Sequence, residues 1–154
     1  LIARMILVLT EELGLPMKSF GDMTVGREDL DRAREPDECF YITYEPEVRN
    51  KEHLDLTSDP PPDLTVEVDV TRAPRNRLDI YAALGVLEVW RYYNETLAVH
   101  QLDEQGAYQA TETSRYFPRL QSADLQGFLQ RRSEMDENSL VRAFREWVRQ
   151  HLVE

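Results

Sequence analysis

The sequence has a single cysteine, Cys39, among its 154 residues. One thiol can form neither an internal disulfide nor a cysteine metal cluster, and no charged-then-apolar leader opens the chain. The longest apolar run, at 5–9, has about a quarter of the length needed to span a bilayer. We therefore expect a cytoplasmic protein without a membrane segment. The strand pattern around Cys39 predicts a buried thiol, which disfavours a catalytic role.

Positive charge is also scarce: 18 Lys and Arg stand against 29 Asp and Glu, for a net charge of -11. This excess opposes strong non-specific attraction to phosphates and argues against a protein that coats DNA. It is compatible with an enzyme whose acidic site holds a divalent cation, because the ion reverses the local sign where a phosphate binds. The three histidines lack the spacing of zinc ligands.

The residues that are present, 42% hydrophobic and 31% charged, suit one globular domain. Hydrophobic periodicity, with proline and glycine as boundaries, predicts a mixed α/β (α+β) fold. The expected helices are 1–13, 75–84, one around 125–129 and 140–152. The expected strands are one within 17–34 followed by a loop, then 39–44, 63–71, 86–93, 97–102 and one at 108, with a polar loop over 45–62 that includes a short strand near 54–56.

The stretch 63–71 alternates polar and apolar residues, which places Asp63, Glu67 and Asp69 on one face of a strand. Carboxylates two residues apart on a strand are about 7 Å apart, close enough to share one or two cations. The alternative interpretation is the solvated outer face of a sheet. The sequence alone leaves both interpretations open.

A second acidic pair, Asp37 and Glu38, opens the preceding strand after Pro36. Neighbouring strands lie only about 4.8 Å apart, so these carboxylates could converge with the first group if the two strands pair. Oxygen ligands of this kind suit Mg²⁺ or Mn²⁺ better than Zn²⁺. The chemistry indicated is phosphodiester hydrolysis by metal-activated water.

Several motifs in order carry a resemblance to a known family. They are Pro36-Asp37, Pro62-Asp63-Leu64 with Val66-Glu67-Val68, Tyr81, and Gly85-Val86-Leu87-Glu88-Val89-Trp90. The set resembles the Uma-type family of bacterial restriction endonucleases, a branch of the PD-(D/E)XK nuclease superfamily. The resemblance is densest over 59–92 and extends more loosely from the first helix to Trp147.

The resemblance implies a restriction-endonuclease-like mixed β-sheet flanked by helices, in one domain over 1–154. We leave open that a short native N-terminal segment precedes Leu1. It also implies DNA as the substrate and Mg²⁺ or Mn²⁺ as the cofactor.

By the same resemblance, Asp37 and Glu67 are the implied metal ligands, with Asp63 and Asp69 as second candidates. In the superfamily a lysine lies two residues beyond the glutamate, and here that place is Asp69. The Uma-type family takes its lysine from the following helix, four residues before the tyrosine, and here that place is Arg77. Arginine in practice stays protonated, so Arg77 can hold a phosphate but cannot act as a base.

Arg72, Arg75 and Arg77 form the compact basic cluster nearest the acidic strand. Such a cluster could contact a nucleic-acid backbone, or it could simply balance the charge of the carboxylates.

Three hypotheses follow. The first is a metal-dependent DNA endonuclease. The second is a catalytically weakened module that binds nucleic acid or a protein partner without cleavage. The third is a structural or oligomerisation module, such as a homodimer, built on the C-terminal helices.

Overall fold

The computed structural model describes residues 1–21, 25–27, 32–34, 37–69 and 77–154, with the backbone alone for 25–27, 32–34 and 77. No helix within these ranges is long and apolar enough to cross a membrane. The helices are α1 (Ile2–Glu12), α2 (Glu45–Val48), α3 (Arg77–Leu84), α4 (Ser122–Gln130) and α5 (Glu137–His151). The strands are β1 (Lys18–Gly21), β2 (Val25–Arg27), β3 (Arg32–Arg34), β4 (Glu38–Tyr41), β5 (Leu64–Asp69), β6 (Glu88–Tyr93), β7 (Thr96–Leu102) and β8 (Tyr108–Thr111).

A mixed sheet of six strands, in the order β1-β4-β5-β6-β7-β8, forms the centre of the molecule. β5 and β6 are parallel, as a strand-helix-strand unit with α3 between them requires, and the other neighbours are antiparallel. β6, β7 and β8 form the predicted antiparallel meander. Its first turn is Asn94-Glu95, where both residues have positive φ, as a two-residue hairpin of type I′ demands.

Each face of the sheet has its own apolar core. The larger core joins α1, α4 and α5 to one face, where Leu64, Val66 and Trp90 are buried. The smaller core includes Tyr81 from α3 and Val89 from β6. Because successive side chains of a strand point to opposite faces, Val89 and Trp90 mark the two sides. The central strands are therefore covered on both faces.

The first and last helices are joined by charge as well as by apolar packing. Glu12 in α1 accepts hydrogen bonds from Arg145 Nη1 at 2.5 Å and Arg149 Nε at 2.8 Å, both in α5. At the other end of the contact, Arg4 Nη1 lies 2.9 Å from Glu137 Oε1. Periodic apolar residues on both helices, as predicted from the sequence, face this contact and the sheet beneath it.

Three local predictions need correction. The strand predicted over 39–44 ends at Tyr41, and the loop after it begins with the short helix α2, whose first turn contains Pro46. The short strand predicted near 54–56 is wrong, because Asp55 Oδ1 accepts the backbone N–H of Thr57 at 3.0 Å and sets a turn. Within 17–34, β2 and β3 form a separate two-stranded antiparallel sheet where only a loop was expected.

Candidate active site

β4 and β5 lie side by side, which is the pairing that the acidic residues need. The strands are antiparallel with Glu38 opposite Val66, so Asp37, one residue before β4, reaches the C-terminal half of β5. Its backbone N–H donates to Val66 O at 3.1 Å, and its Oδ2 accepts the backbone N–H of Val68 at 2.5 Å. Asp37 therefore contacts the residues on both sides of Glu67. Asp37 is an exposed residue.

Glu67 has the opposite environment, because it is only 3% exposed. The hydroxyl of Tyr81, from α3, donates a hydrogen bond to Glu67 Oε1. A buried carboxylate needs such partners, since desolvation without hydrogen bonds is costly. The interpretation of this acidic face as a solvated outer surface is therefore wrong: α3 lies over it.

Asp69 continues the same face of β5 and is paired with an arginine from the next strand. Arg91 Nε lies 3.1 Å from Asp69 Oδ2, and the two side chains are 24% and 4% exposed. The guanidinium of Arg91 also lies over the ring of Tyr93, 5.3 Å from its centroid. This ion pair occupies the position two residues beyond the glutamate.

Arg91 was not selected from the sequence. Its β5 partner in the parallel register is Glu67, so it lies beside the acidic face. Its Nη2 is buried and has no hydrogen-bond partner among the described residues. In the sequence, Arg91 is a lone cation among the aromatic and β-branched residues of β6. Only the pairing of β5 with β6 shows that it lies beside Glu67.

Asp63 lies at the start of β5, away from Glu67, and its carboxylate is committed to the backbone. Its Oδ2 accepts the N–H groups of Ile42 at 2.6 Å and Tyr44 at 3.1 Å, and Tyr116 Oη lies 3.3 Å from Oδ1. The side chain is 2% exposed. These bonds give Asp63 a structural task at the turn after β4.

The basic cluster is only partly visible. Arg77 opens α3, which places its backbone one helical turn before Tyr81. The side chain of Arg77, together with Arg72 and Arg75, lies outside the described residues.

Glu88, a residue of the motif around Trp90, belongs to the other face of the sheet. It is fully buried, and its carboxylate accepts hydrogen bonds from Trp90 Nε1 at 2.7 Å, Ser114 Oγ at 2.5 Å and the backbone N–H of Arg115 at 2.6 Å. Burial raises the pKa of the Glu88 carboxyl, and these three bonds oppose the rise. Glu88 anchors the loop after β8 and is separated from Glu67 by the sheet.

No group of three or more His, Cys, Asp or Glu side chains that could hold a metal ion occurs within the described ranges. Burial raises the pKa of the Cys39 thiol to about 12, in keeping with an unreactive core residue. The remaining candidate centre is the pair Asp37 and Glu67, with Tyr81, Asp69 and Arg91 around it.

The mixed sheet with helices on both faces agrees with the restriction-endonuclease-like fold expected from the sequence. A crystal structure described as a putative nuclease belonging to DUF820, from Anabaena variabilis, is similar, with a TM-score of 0.52 over 82% of this chain and 78% of that chain. The sequences are 13% identical, so this likeness shows the fold alone.

The family model described as Uma2, putative restriction endonuclease, matches residues 1–136. The chain belongs to this family, and the predicted family and fold class are confirmed. The comparison with curated proteins returned no match.

Proposed function

We propose that this protein is a metal-dependent endonuclease that hydrolyses phosphodiester bonds of DNA, with Asp37 and Glu67 as the ligands of Mg²⁺ or Mn²⁺. One observation carries the proposal: Asp37, one residue before β4, bonds to the backbone of β5 on both sides of Glu67. An exposed acidic residue therefore lies beside a buried one. Membership of a restriction-endonuclease family supports DNA as the substrate.

The donor set fits this class of ion. Mg²⁺ binds proteins through one or two carboxylates and keeps several waters, so two acidic side chains suffice. Zinc would call for histidine or cysteine, and Cys39, the single cysteine of the sequence, is buried with a raised pKa. When bound, the ion would supply a Lewis acid and a lowered pKa for the attacking water.

The side chains of the protein would bind the metal ion and contact the substrate. Asp37, held by Val68, would present a carboxylate at the exposed side of the site. Glu67 would present a second one from the buried position in which Tyr81 donates a hydrogen bond to it. Arg77 would hold a phosphate oxygen with paired hydrogen bonds, and Arg72 and Arg75 would contact the nucleic-acid backbone.

A second candidate function is a weakened nuclease that binds nucleic acid or a protein partner without cutting. Asp69 occupies the place of the superfamily lysine and forms an ion pair with Arg91. The cation at this place is thus an arginine, which cannot act as a base. Asp69 is thereby less suited to serve as a further metal ligand.

Thermal unfolding with and without Mn²⁺ tests the metal site. A ligand at a hundred times its Kd adds about 2.7 kcal/mol, which is a rise in Tm of about 5–10 °C for a domain of this size. We expect that rise in the wild type and its loss in Glu67→Ala and Asp37→Ala. Glu104→Ala is the matched control, because this exposed acidic residue lies in the β7–β8 turn, at the other end of the sheet.

Cleavage of supercoiled plasmid with Mn²⁺ then separates the two functions. Nicking that is lost in Glu67→Ala supports the nuclease. Metal binding without cleavage, in the wild type and in Arg77→Lys alike, favours the binding module. Equal Tm shifts in the wild type and both site variants would show that the ion binds elsewhere.

A further inference from the structure

The hydroxyl of Tyr81 joins α3 to the candidate metal ligand Glu67. Tyr81 is fully buried in the smaller core, among Leu84, Val86 and Val89. From there it donates a hydrogen bond to Glu67 Oε1. A phenylalanine would fill the same apolar space, so the hydroxyl matters for its bond and not for packing.

We infer that Tyr81 is a positioning residue for metal binding, an inference that rests on the proposed function. A glutamate side chain has three rotatable bonds, and a carboxylate offers about four lone-pair sites around its two oxygens. A donor fixed in a core selects one orientation of that carboxylate before an ion arrives. Groups that hold a metal ligand in this way typically change metal affinity by about 10–100-fold when removed.

The position of Tyr81 in the chain extends this role to the helix. Arg77 begins α3 one turn before Tyr81, and Tyr81 bonds to the centre of β5. The bond therefore sets the distance between the start of α3 and the ligand Glu67. The hydroxyl of Tyr81 would thus link an ion at Glu67 to the helix that carries the proposed phosphate clamp.

Tyr81→Phe tests the inference, with Tyr108→Phe as the matched control. Tyr108 packs against the same core, and its hydroxyl donates to a backbone oxygen, Val86 O, at 2.6 Å. Each variant loses one phenol hydrogen bond and keeps its ring. We expect Tyr81→Phe to bind Mn²⁺ at least about tenfold more weakly than the wild type in calorimetric titration, and Tyr108→Phe to bind within about twofold of it.

Near-UV absorbance gives a second readout that does not depend on the folding of a variant. An ion at Glu67 alters the charge next to the phenol of Tyr81, so Mn²⁺ should produce a tyrosine difference spectrum in the wild type. Binding without this spectrum would overturn the inference, as would equal affinities in Tyr81→Phe and Tyr108→Phe. A wild type that binds no Mn²⁺ would instead defeat the proposed function itself.

Discussion

Asp63 Oδ2 accepts the backbone N–H of Ile42 at 2.6 Å, and this bond turns the chain out of β4. The same oxygen accepts the N–H of Tyr44, so one carboxylate satisfies two backbone donors that have left the sheet. Asp63 thus serves the fold, although the alternation of 63–71 grouped it with Glu67 and Asp69.

We expect Asp63→Ala to lower the free energy of unfolding by about 3 kcal/mol, because it leaves a buried donor at Ile42 without an acceptor. Asp63→Asn keeps an acceptor oxygen and should lose less than half as much. Urea denaturation measures both. A loss below about 1 kcal/mol in Asp63→Ala would mean that water replaces the carboxylate.

Glu88 predicts a specific pH dependence of stability. Burial raises its pKa above the ordinary value of 4.5, so the folded protein holds a proton at pH values where the unfolded chain has released it. Its contribution to stability is therefore fully present below about 4.5 and is lost as the pH rises through the raised pKa.

Glu88→Gln removes this titration. The free energy of unfolding of the wild type, minus that of Glu88→Gln, should fall as the pH is raised from about 4.5 towards neutrality. Urea denaturation at a series of pH values gives the difference. The same subtraction for Glu104→Gln, an exposed residue, should stay flat, and a flat profile for Glu88→Gln would contradict the assigned direction.

Cys39 should be inert in the folded protein. Its thiol is fully buried, and its pKa of about 12 keeps it protonated at neutral pH. We expect no labelling by a maleimide over hours under native conditions and complete labelling in urea, measured by mass spectrometry. Rapid labelling of the native protein would show that β4 opens from the sheet.

By the resemblance to the family, Arg77 stands where a lysine is expected. A permanent guanidinium can hold a phosphate oxygen but cannot accept a proton from water as a neutral lysine can. We therefore expect weak or undetectable plasmid cleavage by the wild type with Mn²⁺ and a measurable increase in Arg77→Lys.

Mn²⁺ affinity is the control in that experiment, because one cation replaces another and the carboxylates are unchanged. It should be nearly equal in the wild type and in Arg77→Lys. Ready cleavage by the wild type with less in Arg77→Lys would make arginine the functional clamp and exclude the weakened-enzyme hypothesis.

The spacing of apolar residues predicts those helices and strands that pack one regular face against the core. Helix α1 and helix α5 follow from apolar spacing, and β5 follows from strict alternation. Periodicity also predicts the mixed α/β class, whereas the family and its restriction-endonuclease-like sheet follow from the order of the motifs. The β4–β5 pairing was the condition on which the acidic residues could converge, and the structure contains that pairing.

The environment of the acidic face could not be predicted in the same way. Burial of Glu67 depends on α3 folding back over β5, and the place of Arg91 depends on the parallel register of β5 and β6. Both depend on contacts between segments that are distant in the sequence. The alternation of polar and apolar residues in β5 is the same whether its acidic face is covered or open.

The contact between α1 and α5 has a consequence for biosynthesis. Glu12 and Arg149 are 137 positions apart. During translation, the apolar side of α1 therefore has no partner helix until nearly the whole described chain has been synthesised. A contact of such long sequence separation closes late and slowly, and until then the exposed helix is a target for chaperones. A chain stalled on the ribosome before α5 would therefore leave the apolar residues of the larger core exposed to solvent.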